Sequence, residues 1–130
     1  MRSFSRDDTV KKIIIKRPGG YNRLQIKEFP TPTPQNHEVL IEVSAAGVNF
    51  ADVFIRLGLY KSGKEFVGWP ITPGFEFSGK VVKCGPDVSH LAEGTPVFGI
   101  TRFGAYASHL CVPEPQVFTL PDDSKFSSDD

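Results

Sequence analysis

Cysteine and histidine are common side chains for holding a metal or running redox chemistry, and this chain of 130 residues has two of the first and three of the second. Their spacing favours neither use. Cys84 and Cys111 lack the C-x-x-C arrangement of a zinc or dithiol site and are too few for a disulfide framework, so both read as small buried apolar residues. His37, His90 and His109 stand far apart and suggest no ligand set. Among the polar residues, Asn49 has the most definite place. It precedes an apolar-periodic run, where its amide suits a helix N-cap, and Asp52 three residues on supplies the acidic arm of a capping box. Asp52 and Arg56, one turn apart, read as an ion pair on the helix surface.

The elements that carry these residues are short. In NFADVFIRLGLY, Phe50, Val53, Phe54 and Leu57 recur at i, i+3, i+4 and i+7, which predicts one short helix with an apolar stripe, ended by Gly58. Ahead of it, EVLIEVSAAGVN alternates, with Val39, Ile41 and Val43 on one face and Leu40, Glu42 and Ser44 on the other, the pattern of a half-buried strand. Lys12 to Lys16 and Leu24 to Glu28 read as a hairpin-like pair around Pro18, Gly19, Gly20 and Asn22. Pro30, Pro32 and Pro34 then enforce an extended connection. Further strands are expected at Phe75 to Cys84, Pro96 to Ile100, Ala105 to Val112 and Val117 to Leu120. The whole reads as mainly β: a partly open barrel with one helix across an end.

Composition limits the partners. Lys+Arg 15 against Asp+Glu 15 leaves no net charge, so there is no electrostatic footprint for nucleic acid or for an anionic membrane. No apolar run reaches the roughly 18 to 20 residues of a membrane span, and the N-terminal MRSFSRDDTVKK lacks the apolar stretch of a secretory signal. A cytoplasmic location is the expectation. Gly 12 and Pro 11, scattered along the chain, fit a fold of many turns.

The strings VLIEVSAAGVNFADVFIRLGLY, PITPGFEFSGKVVKCGPDVSHLAEGTPVFGI and GAYASHLCVPEPQVFTLPDD together resemble the N-terminal, GroES-like catalytic domain of medium-chain dehydrogenases/reductases. Within that superfamily the chain looks most like the zinc-independent quinone oxidoreductases and the vesicle amine transport protein group. The resemblance runs from about Lys11 to Lys125. It implies a flexible N-terminus over residues 1–10, a GroES-like domain over 11–125 and, over 126–130, the start of a linker to a nucleotide-binding domain. No G-x-G-x-x-G turn occurs in this chain, so the resemblance also implies that the fragment alone is inactive. A truncated product and one piece of a split protein both remain open.

What the resemblance implies about chemistry can be placed residue by residue. Zinc-dependent members carry a Cys where this chain has Asn49 and a His where it has Phe75, ahead of Glu76, so specific zinc binding is not expected. Asn49 then becomes the expected catalytic residue, an amide donor beside the nicotinamide of NADPH, and Asn49 with Tyr60 the expected cofactor-binding pair. Phe54 stands where some quinone oxidoreductases carry a Tyr, which removes a hydroxyl. Phe66 and Trp69 are candidate lining for a flat substrate, whereas Phe50 and Phe54 read rather as core; Asp52, Arg56 and Glu76 read as structural. The implied activity is NADPH-dependent reduction of quinones or activated alkenes and ketones. The alternative is a non-catalytic binding or adaptor module of the vesicle amine transport type, whose apolar face could drive homodimerisation.

Overall fold

The computed structural model describes residues 8–59 and 68–121. Among the described residues, seven strands and one α-helix follow in the order β1 (Thr9–Ile15), β2 (Leu24–Pro30), β3 (Glu38–Ala46), α1 (Phe50–Arg56), β4 (Glu76–Cys84), β5 (Pro96–Ile100), β6 (His109–Pro113) and β7 (Val117–Thr119). Single 3-10 turns at Tyr21–Arg23 and Glu114–Gln116 introduce β2 and β7. β1 and β2 form a two-stranded antiparallel sheet, and the other five strands form a second sheet in the order β6-β3-β4-β5-β7. The larger sheet stays open, with β6 and β7 as its edges.

The larger sheet encloses a core of Val39, Ile41, Phe77, Val81, Val97, Val112 and their neighbours. Burial of such β-branched and aromatic side chains is the main favourable contribution to a fold of this size. β3 departs from strict alternation, because Leu40 is buried together with Val39 and Ile41. Its pairing with β4 skips Val82, since Leu40 faces Lys83 and Ile41 faces Val81. A second irregularity skips Ser44, where Val43 faces Gly79 and Ala45 faces Ser78. An extra residue bends a strand, and this one lies just before the chain leaves the sheet toward α1.

The small sheet is sewn to the rest through the free edge of β1. Ile13 N–H donates to the Tyr106 carbonyl at 2.9 Å, Ile15 and Ile71 exchange hydrogen bonds at 2.8 and 2.9 Å, and Ser108 N–H donates to the Lys11 carbonyl at 2.8 Å. These contacts explain why β6 begins later than the alternation from Ala105 suggests. Residues Gly104 to Ser108 give their N–H groups to Thr72, Pro73, Gly74, Ala105 and Lys11, outside the five-stranded ladder.

Candidate functional site

Asn49 lies where β3 hands over to α1, in extended conformation (φ −116°, ψ 152°), as an N-cap requires. Its peptide is gripped at both ends by one residue. The Asn49 N–H donates to Asp52 Oδ2 at 2.9 Å, and the Asn49 carbonyl accepts the Asp52 N–H at 3.0 Å. Capping calls on oxygen acceptors, so it does not consume the two amide N–H donors of Asn49. At the other end Gly58, at φ 76°, provides the left-handed residue that closes the helix, with Gly58 N–H on the Ile55 carbonyl and Leu59 N–H on the Phe54 carbonyl.

The inward face of α1 differs from the one its sequence suggests. Asp52, Ile55 and Arg56 are buried, whereas Phe50 is 77% exposed, and Phe54 and Leu57 are exposed too. Phe50 and Phe54 are therefore not core; they pack edge to face with each other at 5.2 Å on the outer surface. Nor do Asp52 and Arg56 form a surface ion pair. Asp52 Oδ2 also accepts the Tyr106 hydroxyl at 2.7 Å, while Arg56 donates from Nη1 to the Gly19 carbonyl at 2.8 Å and lies 4.5 Å over the Tyr21 ring. Burial, and then the Asp52 carboxylate, push the Tyr106 phenol well above its ordinary ionisation range, so it remains a donor at neutral pH. Beneath the helix a pocket of about 210 Å³ is lined by Ile15, Val53, Arg56, Pro73 and Tyr106.

Asn49 thus sits half-buried between two exposed apolar neighbours, Val48 and Phe50. Tyr60 and Phe66, the other expected lining residues, lie outside the described residues. Trp69 is described and partly buried. Opposite the cap, the Glu76 carbonyl accepts the Gly47 N–H at 3.1 Å, which ties the start of β4 to the β3–α1 connection. Residues 35–122 match the family described as the alcohol dehydrogenase GroES-like domain.

The chain belongs to that family. It is 33% identical over 118 residues to the mouse synaptic vesicle membrane protein VAT-1 homolog-like, covering 91% of this chain and 28% of that protein. It is 38% identical over 109 residues to the bovine quinone oxidoreductase-like protein 2, covering 83% of this chain and 29% of that one. The crystal structure of Escherichia coli quinone oxidoreductase complexed with NADPH superposes with a TM-score of 0.81 at 32% identity, covering 90% of this chain and 34% of that chain. The chain therefore spans about a third or less of the length of these relatives.

Phe75, which the resemblance aligns with a histidine of zinc-dependent members, packs against Phe103, ring centroids 5.7 Å apart. Neither that ring nor the Asn49 amide is a customary zinc ligand. Among the described residues, no group of three or more His, Cys, Asp or Glu gathers to hold a metal. His109 bonds its neighbour Ser108 through Nδ1 at 3.0 Å and faces Glu42 at 3.8 Å, whereas His37 and His90 border a separate groove of about 760 Å³ at the Glu114 end. Cys84 and Cys111 are free and only partly buried, a correction to their reading as buried, although Cys84 packs against the core. Burial pushes the Cys111 thiol up to about 11, Glu38 adding to the effect and Lys12 opposing it. Among the described residues, no helix is long and apolar enough to cross a membrane.

The sequence reading missed Tyr106 as a member of this site. It lies in GAYAS, where only a strand was expected, and 54 residues separate it from the carboxylate it binds. No spacing rule reaches that far.

Proposed function

We propose that this GroES-like domain is the substrate-side part of a zinc-independent, NADPH-dependent oxidoreductase acting on quinones or activated alkenes and ketones. The observation that carries the reading is the fixed peptide of Asn49 set among the exposed apolar side chains of Val48, Phe50 and Phe54. A nicotinamide ring and a flat acceptor call for an apolar wall with a hydrogen-bond donor at its edge, and these residues are of that type. NADPH, when bound, supplies the hydride. Asn49 donates a hydrogen bond to the substrate oxygen that gains negative charge, and Phe50 and Phe54 exclude water from one side; the reading keeps Tyr60, outside the described residues, as a cofactor-binding residue. The chain has no G-x-G-x-x-G turn for the pyrophosphate, so the reading assigns that grip to a nucleotide-binding domain outside these residues and expects no turnover from them alone.

The test joins this domain to a nucleotide-binding domain and follows NADPH oxidation with a panel of quinones and enones. Turnover is expected, and Asn49→Ala should lower kcat on the order of 100-fold, as loss of an oxyanion donor does. The same change should cost about 1 kcal/mol of stability through the lost cap. No turnover with any acceptor, or an Asn49→Ala variant as fast as the parent, overturns the assignment.

A second reading, a non-catalytic adaptor that pairs with another chain, is favoured by one observation. Phe98, Ile100 and Phe118 are exposed on β5 and β7, with Phe98 and Phe118 stacked at 5.5 Å. Such a patch suits an interface. Light scattering tests its homodimeric form: a dimer is expected, and a monomer at every concentration counts against it.

A further inference from the structure

We propose that Tyr106 is a positioning residue for Asn49, acting through Asp52. The inference rests on the reading of Asn49 given above. Three observations carry it. First, Asp52 Oδ2 accepts two donors at once, the Tyr106 hydroxyl at 2.7 Å and the Asn49 N–H at 2.9 Å, so the hydroxyl on one side sets where the peptide on the other can sit. Second, the Tyr106 backbone is anchored in both directions: its N–H donates to the Pro73 carbonyl at 2.9 Å and its carbonyl accepts from Ile13 at 2.9 Å. The ring also lies tight over Gly74, where an added Cβ would stand 2.7 Å from Tyr106 Cδ1. A phenol held this firmly can serve as a fixed point.

Third, Asp52 is only 7% exposed, and its other oxygen, Oδ1, is buried with no hydrogen-bond partner. Burying an unpaired carboxylate oxygen is unfavourable, and a hydrophobic residue would fill the same space without that penalty. The acid is therefore accounted for by its other oxygen, which links Tyr106 to Asn49. Without the hydroxyl, a carboxylate with one donor instead of two is free to rotate about its terminal torsion, and the Asn49 peptide loses its fixed acceptor.

The test is Tyr106→Phe, which removes one oxygen and keeps the ring. Amide exchange of the 130-residue chain, read by NMR, is expected to show the Asn49 N–H exchanging roughly 5-fold faster, while the β3 and β4 core amides stay within about 2-fold of the parent. A uniform acceleration of all amides would mean loss of global stability and would overturn the proposal, as would an unchanged Asn49. Should Tyr106→Phe fail to fold, incorporation of fluorotyrosine, which strengthens the phenol as a donor, must shift the Asn49 N–H resonance; no shift overturns the idea equally. In the NADPH-oxidising form, Tyr106→Phe should lower kcat about 3- to 10-fold with KM unchanged, and should add nothing to Asn49→Ala. If Asn49→Ala is itself silent, the catalytic reading of Asn49 fails, and the exchange data still decide whether Tyr106 holds it.

Discussion

Gly74 has φ 108°, a region that L side chains rarely adopt, and a Cβ there would also stand 2.9 Å from the Tyr106 nitrogen and 2.8 Å from the Ala105 Cβ. Backbone strain and crowding add, so Gly74→Ala is expected to lose roughly 2–4 kcal/mol in urea unfolding. A loss below about 0.5 kcal/mol would mean that the Ala105–Tyr106 segment moves aside freely. From the sequence, Gly74 reads as a glycine flanking an extended piece, where backbone conformation or a close contact would exclude a Cβ, and both are found; yet nothing in PGFEFSG reveals that the contact is a tyrosine more than thirty residues later. Asn49 was far more legible, since a cap is a local matter of residue type before an apolar run. Asp52 shows the limit: its acidic arm in the cap was readable, whereas its burial and its bond to Tyr106 depend on tertiary packing.

At the scale of elements, α1 was legible in extent and misleading in orientation. Helical spacing at Phe50, Val53, Phe54 and Leu57 establishes that the helix has an apolar side, but not what covers it. In the structure the core side of the helix takes Ile55 with two buried charged residues, Asp52 bonded to Tyr106 and Arg56 to the Gly19 carbonyl, and the phenylalanines face outward. Ile55→Ala should therefore cost about 2–5 kcal/mol, whereas Phe50→Ser should change stability by less than about 0.5 kcal/mol. Thermal or urea unfolding of the two variants side by side checks this; equal losses would mean that Phe50 is covered in solution. β5 was legible to the residue, because Pro96 and a short alternating run mark its bounds. The start of β6 was not, because the preceding segment forms its hydrogen bonds with β1 and with the stretch from Thr72 to Gly74.

For the whole molecule, pH exposes the balance between burial and ionisation. The folded state raises the Cys111 thiol from 9.0 to about 11, chiefly by desolvation, so it disfavours the thiolate relative to the unfolded chain. The stability tied to the neutral thiol is complete below pH 9 and declines as the pH rises through about 11. Cys111→Ala should accordingly show a flatter fall in stability across that interval, measured by urea unfolding at successive pH values. Parallel curves would show that the thiol is well hydrated in solution. The open sheet has a consequence of another kind. An unclosed sheet offers two strand edges on which other chains can add and begin to aggregate. Here β6 terminates in Pro113, and β7 is three residues long with Pro121 shortly beyond it. Proline has no N–H to give a growing ladder, so each edge offers a visiting strand only a few rungs, and the exposed phenylalanines nearby are not backed by a long template for amyloid.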